Sequence, residues 1–325
     1  MTKLRNILAA VLAVQLLAQP VVLERIGLLS DLFGTRDGEN GAEEKPEEED
    51  FTPKRGRFAP ERRKRRPGPA AEKTADTGAS ESLLSVPCAA GGGGAYSWYA
   101  AHQKNGVRPP SPAEIPSIAE HGGFFLGADE PVVYLTFDAG YENGNVERIL
   151  DGLKAEEVPG AFFILENLVN RNPELVKRMT EEGHLVCNHT ARHRDMTTFT
   201  EADFKEELGR METAYRNLTG RELARYYRPP EGKFTVDNLD WARDMGYSTV
   251  LWSFAYADWD NDKQPDPDAA LEKILSGAHN GMVLLLHPTS ATNAQILPAL
   301  IRALKDRGYR FGTLDELTGG GGFGA

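Results

Sequence analysis

The sequence has little cysteine. Two residues in 325, Cys88 and Cys187, are too few for a disulfide framework. Neither belongs to a CxxC pair, so a zinc–thiolate site is not indicated. The simplest reading is two free thiols. There is no surplus of positive charge. Lys and Arg number 37 against 48 Asp and Glu, a net charge of −11, which argues against nucleic acid as a partner. No internal repeat is visible. The hydrophobic share of 40% and aromatic share of 9% are ordinary for a globular protein.

What is present begins with an address. Lys3 and Arg5 precede an apolar run at 7–18 that resumes as Val21-Val22-Leu23. A basic start before an apolar core predicts a signal peptide or an N-terminal membrane anchor over 1–30, barely long enough to span a bilayer. No cysteine follows it at a lipoprotein position. Export is expected, with the product secreted or membrane-anchored. Residues 31–94 carry an acidic block at 43–50 and a basic block at 54–66, with too little apolar surface to offset ordering entropy. They are read as a charged, disordered linker. Its Arg62-Arg63-Lys64-Arg65-Arg66 run could touch anionic lipid or wall polymer, though solvated linker charge is the simpler account. Residues 95–131, with the Tyr96-Ser97-Trp98-Tyr99 cluster and a Pro-rich stretch, are expected to form an extended arm packed on the main domain at 132–318. The tail at 319–325 is Gly-rich.

Within 132–318 short apolar runs alternate with helical periodicity. Strands are predicted at 132–137, 161–165, 184–188, 226–227, 248–254, 282–286 and 309–312. Helices are predicted at 143–154, 173–182, 201–218, 236–245, 269–278 and 293–307. Alternation of this kind implies a parallel sheet and an α/β fold, a distorted, roughly seven-stranded (β/α) barrel. Active sites of such barrels lie at the C-terminal ends of strands. Reading the polar residue after each strand gives Asp138, His189 with His193, Arg228, Asp258 and His287. Five strands would deliver these groups to one mouth. Each has a plainer reading alone: a strand-end Asp can cap a turn, and a lone His after an apolar strand is often structural.

Thr136-Phe137-Asp138-Ala139-Gly140, His189-Thr190-Ala191-Arg192-His193, Arg228-Pro229-Pro230, Asp258-Trp259 and Leu285-Leu286-His287 resemble, in order, the five motifs of the polysaccharide deacetylase (NodB-type) family. The flanks, Tyr96 to Tyr99 and Tyr141-Glu142-Asn143-Gly144, look like its delta-lactam-biosynthetic branch in spore-forming bacteria. The resemblance implies a hydrolase that removes acetyl groups from the nitrogen of peptidoglycan sugars. The implied substrate is the N-acetylmuramic acid of spore cortex, outside the cytoplasmic membrane, with the spore intermembrane space as one location the resemblance implies. A general chitin or N-acetylglucosamine deacetylase and a catalytically silent wall-binding module are the alternatives. Asp138 would be the general base, His287 the acid that protonates the departing amine, Arg228 the partner of Asp138, and Asp258 the partner of His287. His189 and His193 would hold a divalent metal, zinc first, with manganese or cobalt as alternatives. Four residues apart, they can share one ion from a helical turn or a matching loop. The Glu231 amide would complete an oxyanion hole, and Trp259 and Tyr141 would contact substrate. Peptidoglycan strands are the expected partner, with membrane contact through the N-terminal segment and a monomeric state. One departure stands out. Typical members carry a second, metal-binding Asp in the first motif, and here that position is Ala139.

Overall fold

A computed structural model describes residues 94–319. The leader, the linker, Cys88 and the tail fall outside the described residues, save Gly94 and Gly319 at the edges. Ten strands follow in chain order: β1 (Tyr96–Ser97), β2 (Gly123–Phe124), β3 (Val132–Ala139), β4 (Ala161–Ile164), β5 (Leu185–Asn188), β6 (Tyr226–Tyr227), β7 (Lys233–Phe234), β8 (Ser248–Val250), β9 (Met282–Leu286) and β10 (Arg310–Phe311). Among the described residues eight α-helices accompany them: α1 (Val146–Ala155), α2 (Glu166–Arg171), α3 (Pro173–Glu181), α4 (Glu201–Thr219), α5 (Val236–Asp244), α6 (Pro267–Ser276), α7 (Ala291–Asp306) and α8 (Leu314–Leu317). Among the described residues no helix is long and apolar enough to cross a membrane.

The sheet runs β10-β3-β4-β5-β6-β8-β2, and β9 pairs with β3 as well. Every pairing within it is parallel. Thr136 and Phe137 are in register with both β4 and β9, so these flank β3 on opposite edges. A single parallel bridge, Phe254 to Leu284, ties β9 to the segment after β8 and curls the sheet toward closure. The distorted (β/α) barrel expected from the sequence is therefore the architecture found.

Some elements differ from expectation. The apolar run at 248–254 is not one strand, because it changes partner midway. The Leu251 N–H bonds Phe124 O at 2.8 Å, whereas the Phe254 N–H bonds Val283 O at 3.2 Å. β2 escapes a pattern search because it has two residues, one a glycine. The segment before Val132 is more than an arm. β1 pairs antiparallel with β7, and β2 adds to the main sheet beside β8. Helix ends follow local chemistry: Thr200, Thr235, Asp266 and Ser290 each accept a backbone N–H from the first turn.

Two apolar layers result. Val133, Leu135, Phe137 and Ala139 pack with residues of α1, α3 and α7. Val132 and Tyr134 join Ala161, Phe163, Cys187, Tyr226, Val250 and Val283 inside the barrel. This is the period-2 alternation of a strand buried on both faces.

Candidate active site

The inward parity of each strand leads to a polar residue at its C-terminal end. After Val132 and Tyr134 come Thr136 and Asp138. Cys187 is followed by His189, Tyr226 by Arg228, and Val283 by Leu285 and then His287. Ala139 has the opposite parity, and its methyl group lies in the helix-side layer. Cys187 is a buried free thiol beneath the site, and burial pushes its pKa well up.

Arg228 is fully buried. Its Nη1 donates to Asp138 Oδ1 at 2.8 Å, its Nη2 to Thr136 Oγ1 at 2.9 Å, and its Nε to Val250 O at 2.8 Å. The guanidinium carbon sits 4.1 Å from the Phe163 ring centre, a cation–π contact inside the barrel. Burial alone would raise the Asp138 pKa. The charges of Arg228, His189 and His287 and the Arg228 hydrogen bond outweigh it, so the carboxyl is held below its ordinary value.

His189 Nδ1 lies 2.8 Å from Arg228 O. A carbonyl only accepts, so Nδ1 carries the proton and Nε2 keeps its lone pair. That Nε2 faces Asp138 Oδ2 at 3.7 Å. Burial, first among several causes, lowers the His189 pKa to about 4, and the ring is neutral at physiological pH. The His193 ring centre is 5.0 Å from that of His189. The segment joining them is a loop, not a helical turn, and both Thr190 (φ 74°) and His193 (φ 53°) take left-handed backbone angles. For a β-branched Thr such an angle is costly. The loop is held by the Thr190 N–H to Asn188 Oδ1 (2.9 Å) and the His193 N–H to Thr190 Oγ1 (2.9 Å).

His287 forms a second dyad. Its Nδ1 donates to Asp258 Oδ1 at 2.7 Å, and its backbone N–H donates to Oδ2 at 2.9 Å. Asn293 Nδ2 donates to Oδ2 at 2.6 Å, and the Tyr256 hydroxyl donates to Asn293 Oδ1. Burial would lower the His287 pKa. The bond and charge of Asp258, with the charge of Asp138, reverse this and hold it above the ordinary imidazole value.

The three substrate-side candidates lie around these pairs. Trp259 is 60% exposed, its ring centre 6.0 Å edge-on from that of His287. Tyr141, 42% exposed, accepts a hydrogen bond from Asn261, two residues past Trp259. Glu231 lies in the turn Pro230–Gly232 with φ 56°, its side chain paired with Lys233. That turn is buttressed by the arm: the Trp98 N–H bonds Gly232 O at 2.9 Å, and a Cβ on Gly232 would meet Trp252 at 2.7 Å.

Sequence reasoning missed Thr136, Asn293, Tyr256 and Glu207. Thr136 was within reach, being two residues before Asp138 on the same face. Glu207 left a different signal, a carboxylate interrupting the apolar stripe of α4. Asn293 and Tyr256 left none.

Among the described residues no group of three or more His, Cys, Asp or Glu side chains is placed to hold a metal. The two-histidine set nevertheless fits a divalent cation. The His189 lone pair and the Asp138 carboxylate oxygen face each other at 3.7 Å with no hydrogen between them, a repulsive pairing that a cation relieves. Neutral imidazole with its other nitrogen bonded to a carbonyl is the usual state of a ligating histidine.

The polysaccharide deacetylase family model matches residues 127–250, a span that ends before Asp258 and His287. The chain is 37% identical over 222 residues to the peptidoglycan-N-acetylmuramic acid deacetylase PdaA of Bacillus subtilis, covering 68% of this chain and 84% of that protein. The solved structure of Bacillus subtilis PdaA, a family 4 carbohydrate esterase, superposes with a TM-score of 0.66 at 36% identity, covering 69% of this chain and 96% of that one. A peptidoglycan-N-acetylglucosamine deacetylase of Bacillus cereus is 32% identical over 189 residues, 57% of this chain and 67% of that protein.

Proposed function

The chain belongs to the polysaccharide deacetylase family, hydrolases of N-acetyl amide bonds on carbohydrate, and we propose that it deacetylates N-acetylmuramic acid in peptidoglycan. The freed amine would then be available to close on the lactyl carboxyl as muramic δ-lactam during spore cortex formation. A wall substrate places the reaction outside the cytoplasmic membrane, in keeping with the leader read from the sequence. The observation that carries the proposal is the pair of dyads, Arg228–Asp138 and Asp258–His287, with Asp138 facing His189 of the imidazole pair. The muramic assignment is supported by the similarity to the Bacillus subtilis muramic acid deacetylase over 84% of its length.

An amide is a poor electrophile with a poor leaving group. Its hydrolysis needs an activated water, a sink for the developing oxyanion and an acid for the nitrogen. Asp138, ionised and oriented by Arg228, accepts the proton of the attacking water. His287, kept protonated by Asp258, donates to the departing amine. The Glu231 amide and the polarised site share the oxyanion charge, while Trp259 and Tyr141 offer aromatic surface to sugar rings. His189 and His193 would hold the divalent cation, zinc by preference, and its chemistry there is to polarise the carbonyl and acidify water.

Acetate release from peptide-free glycan strands, measured against chitin oligomers, tests the proposal. Release from glycan strands with modification on muramic residues is expected, lost on chelation and restored by Zn²⁺. Release from chitin alone would instead favour a chitin or N-acetylglucosamine enzyme, the reading that the Bacillus cereus relative supports. No release at any metal concentration would leave a wall-binding module, the reading that Ala139 supports.

A further inference from the structure

The loop that carries both imidazoles is gripped from a neighbouring helix. Glu207 projects from α4 at a position where the helix otherwise buries Phe204, Leu208, Met211 and Tyr215, and its side chain is wholly buried. A carboxylate in an apolar stripe is costly unless its oxygens are satisfied. Here all of its hydrogen bonds among the described residues go to one residue. Glu207 Oε1 accepts the Arg192 backbone N–H at 2.7 Å, and Oε2 accepts Arg192 Nε at 2.9 Å and Nη2 at shorter range. Arg192 immediately precedes His193. Its guanidinium is about half exposed, and its hydrogen bonds run to Glu207.

The grip falls where the backbone is strained. Thr190 and His193, on either side of Ala191 and Arg192, both have positive φ. Such angles persist only where surrounding contacts over-determine them. The internal bonds of the loop run to Asn188 and Thr190. His189 itself is tied to Ile164 O and Arg228 O, and beyond it two ties reach residues 190–193 from other elements: the Glu166 N–H to Ala191 O at 3.2 Å, and the Glu207 carboxylate. Only Glu207 holds main chain and side chain of one residue together.

We infer that Glu207 is a positioning residue for the metal site: through Arg192 it locks the strained loop in the shape that turns His193 toward His189. The inference rests on the reading of the imidazole pair as a metal site. A residue that merely packs α4 against the sheet would change stability and leave metal affinity alone.

The test is Zn²⁺ titrated into the chelator-treated protein in competition with a chromogenic chelator, with thermal unfolding of the metal-free proteins in parallel. Glu207→Gln keeps the shape but turns one acceptor into a donor, which then faces an Arg192 N–H. Zn²⁺ affinity should fall about tenfold or more, the range for residues that orient metal ligands. Arg192→Ala loses the guanidinium but keeps the backbone bond to Oε1, so a smaller loss is expected in a protein that remains folded. His193→Ala gives the reference for loss of a ligand. A folded Glu207→Gln protein with wild-type Zn²⁺ affinity overturns the inference. Should that variant not fold, wild-type affinity in Arg192→Ala overturns it equally. If the unaltered protein itself takes up no Zn²⁺, the metal reading fails, and the role of Glu207 in it fails too.

Discussion

Replacing Asp258 by Asn tests the acid half of the proposed mechanism at near-constant shape. The Asn side chain has one acceptor and one donor where Asp had two acceptors. Two donors, the His287 N–H at 2.9 Å and Asn293 Nδ2 at 2.6 Å, converge on Oδ2, and one, His287 Nδ1 at 2.7 Å, on Oδ1. The amide oxygen therefore settles at the Oδ2 position and the NH₂ faces Nδ1. That donor requires a bare Nδ1, so the ring is held neutral. The lost charge works in the same direction. At about 4 Å and an effective dielectric of about 20 such a pair is worth about 4 kcal/mol, and its loss favours the neutral ring. With Asp258 neutralised, burial governs and drives the pKa down. Acetate release followed from pH 5 to pH 10 should show kcat lower by about 10²- to 10⁴-fold, the usual worth of a positioned acid. The alkaline limb should move to lower pH. Combining Asp258→Asn with His287→Ala should add little to His287→Ala alone, since the two act as one unit. A variant within threefold of wild-type kcat, with an unmoved alkaline limb, would refute the assignment of His287 as the acid.

Three further outcomes are expected. Arg228→Lys should cripple activity and destabilise the fold by about 3–5 kcal/mol in denaturant titration, because a single ammonium cannot replace three directed N–H bonds and leaves Asp138 buried with poor pairing. The metal-free protein should lose about 3 kcal/mol of stability as pH falls from about 6.5 to about 4 through His189 alone, since the unfolded imidazole takes up a proton that the buried ring refuses; the contribution is present above the unfolded pKa and gone below the folded one, and His189→Gln should flatten that segment of the pH profile. Trp259→Ala should leave the melting temperature unchanged, because the ring is largely exposed, and should raise KM roughly threefold to tenfold if the indole stacks on a sugar.

Much of the site was legible because a buried parallel strand advertises its end. Met282 to Leu286 is apolar without a break and Val132 to Phe137 is interrupted by Thr136, and the first polar residue beyond each run is the one aimed at the barrel mouth. What stayed hidden lies on elements that contribute one residue from a distance. Asn293 reaches Asp258 from the first turn of α7, and Tyr256 reaches Asn293 across 37 positions. Nothing local marks either. Glu207 was readable as an anomaly in an apolar stripe, but not as the partner of Arg192. β2 and the split of 248–254 depend on a partner change that no periodicity encodes.

In the proposed mechanism the two dyads also keep a base and an acid in one site from cancelling each other. Asp138 and His287 are close enough for each to shift the other's titration, and a direct proton transfer between them would silence both. Each has instead its own buried counter-charge, Arg228 just after β6 and Asp258 in the loop beyond Phe254. Arg228 pulls Asp138 down, and Asp258 pulls His287 up, so the two pKa values are driven apart, toward an ionised carboxylate and a protonated imidazole. His189, kept neutral by burial near neutral pH, acts on Asp138 only at lower pH, where its ring takes up a proton. The limbs of the pH–rate profile should therefore respond separately: Arg228→Lys should displace the acid limb and spare the alkaline one, and Asp258→Asn should do the reverse. A single substitution that moved both limbs together would mean that the two dyads titrate as one coupled set, and the separate roles given to Asp138 and His287 would have to be abandoned.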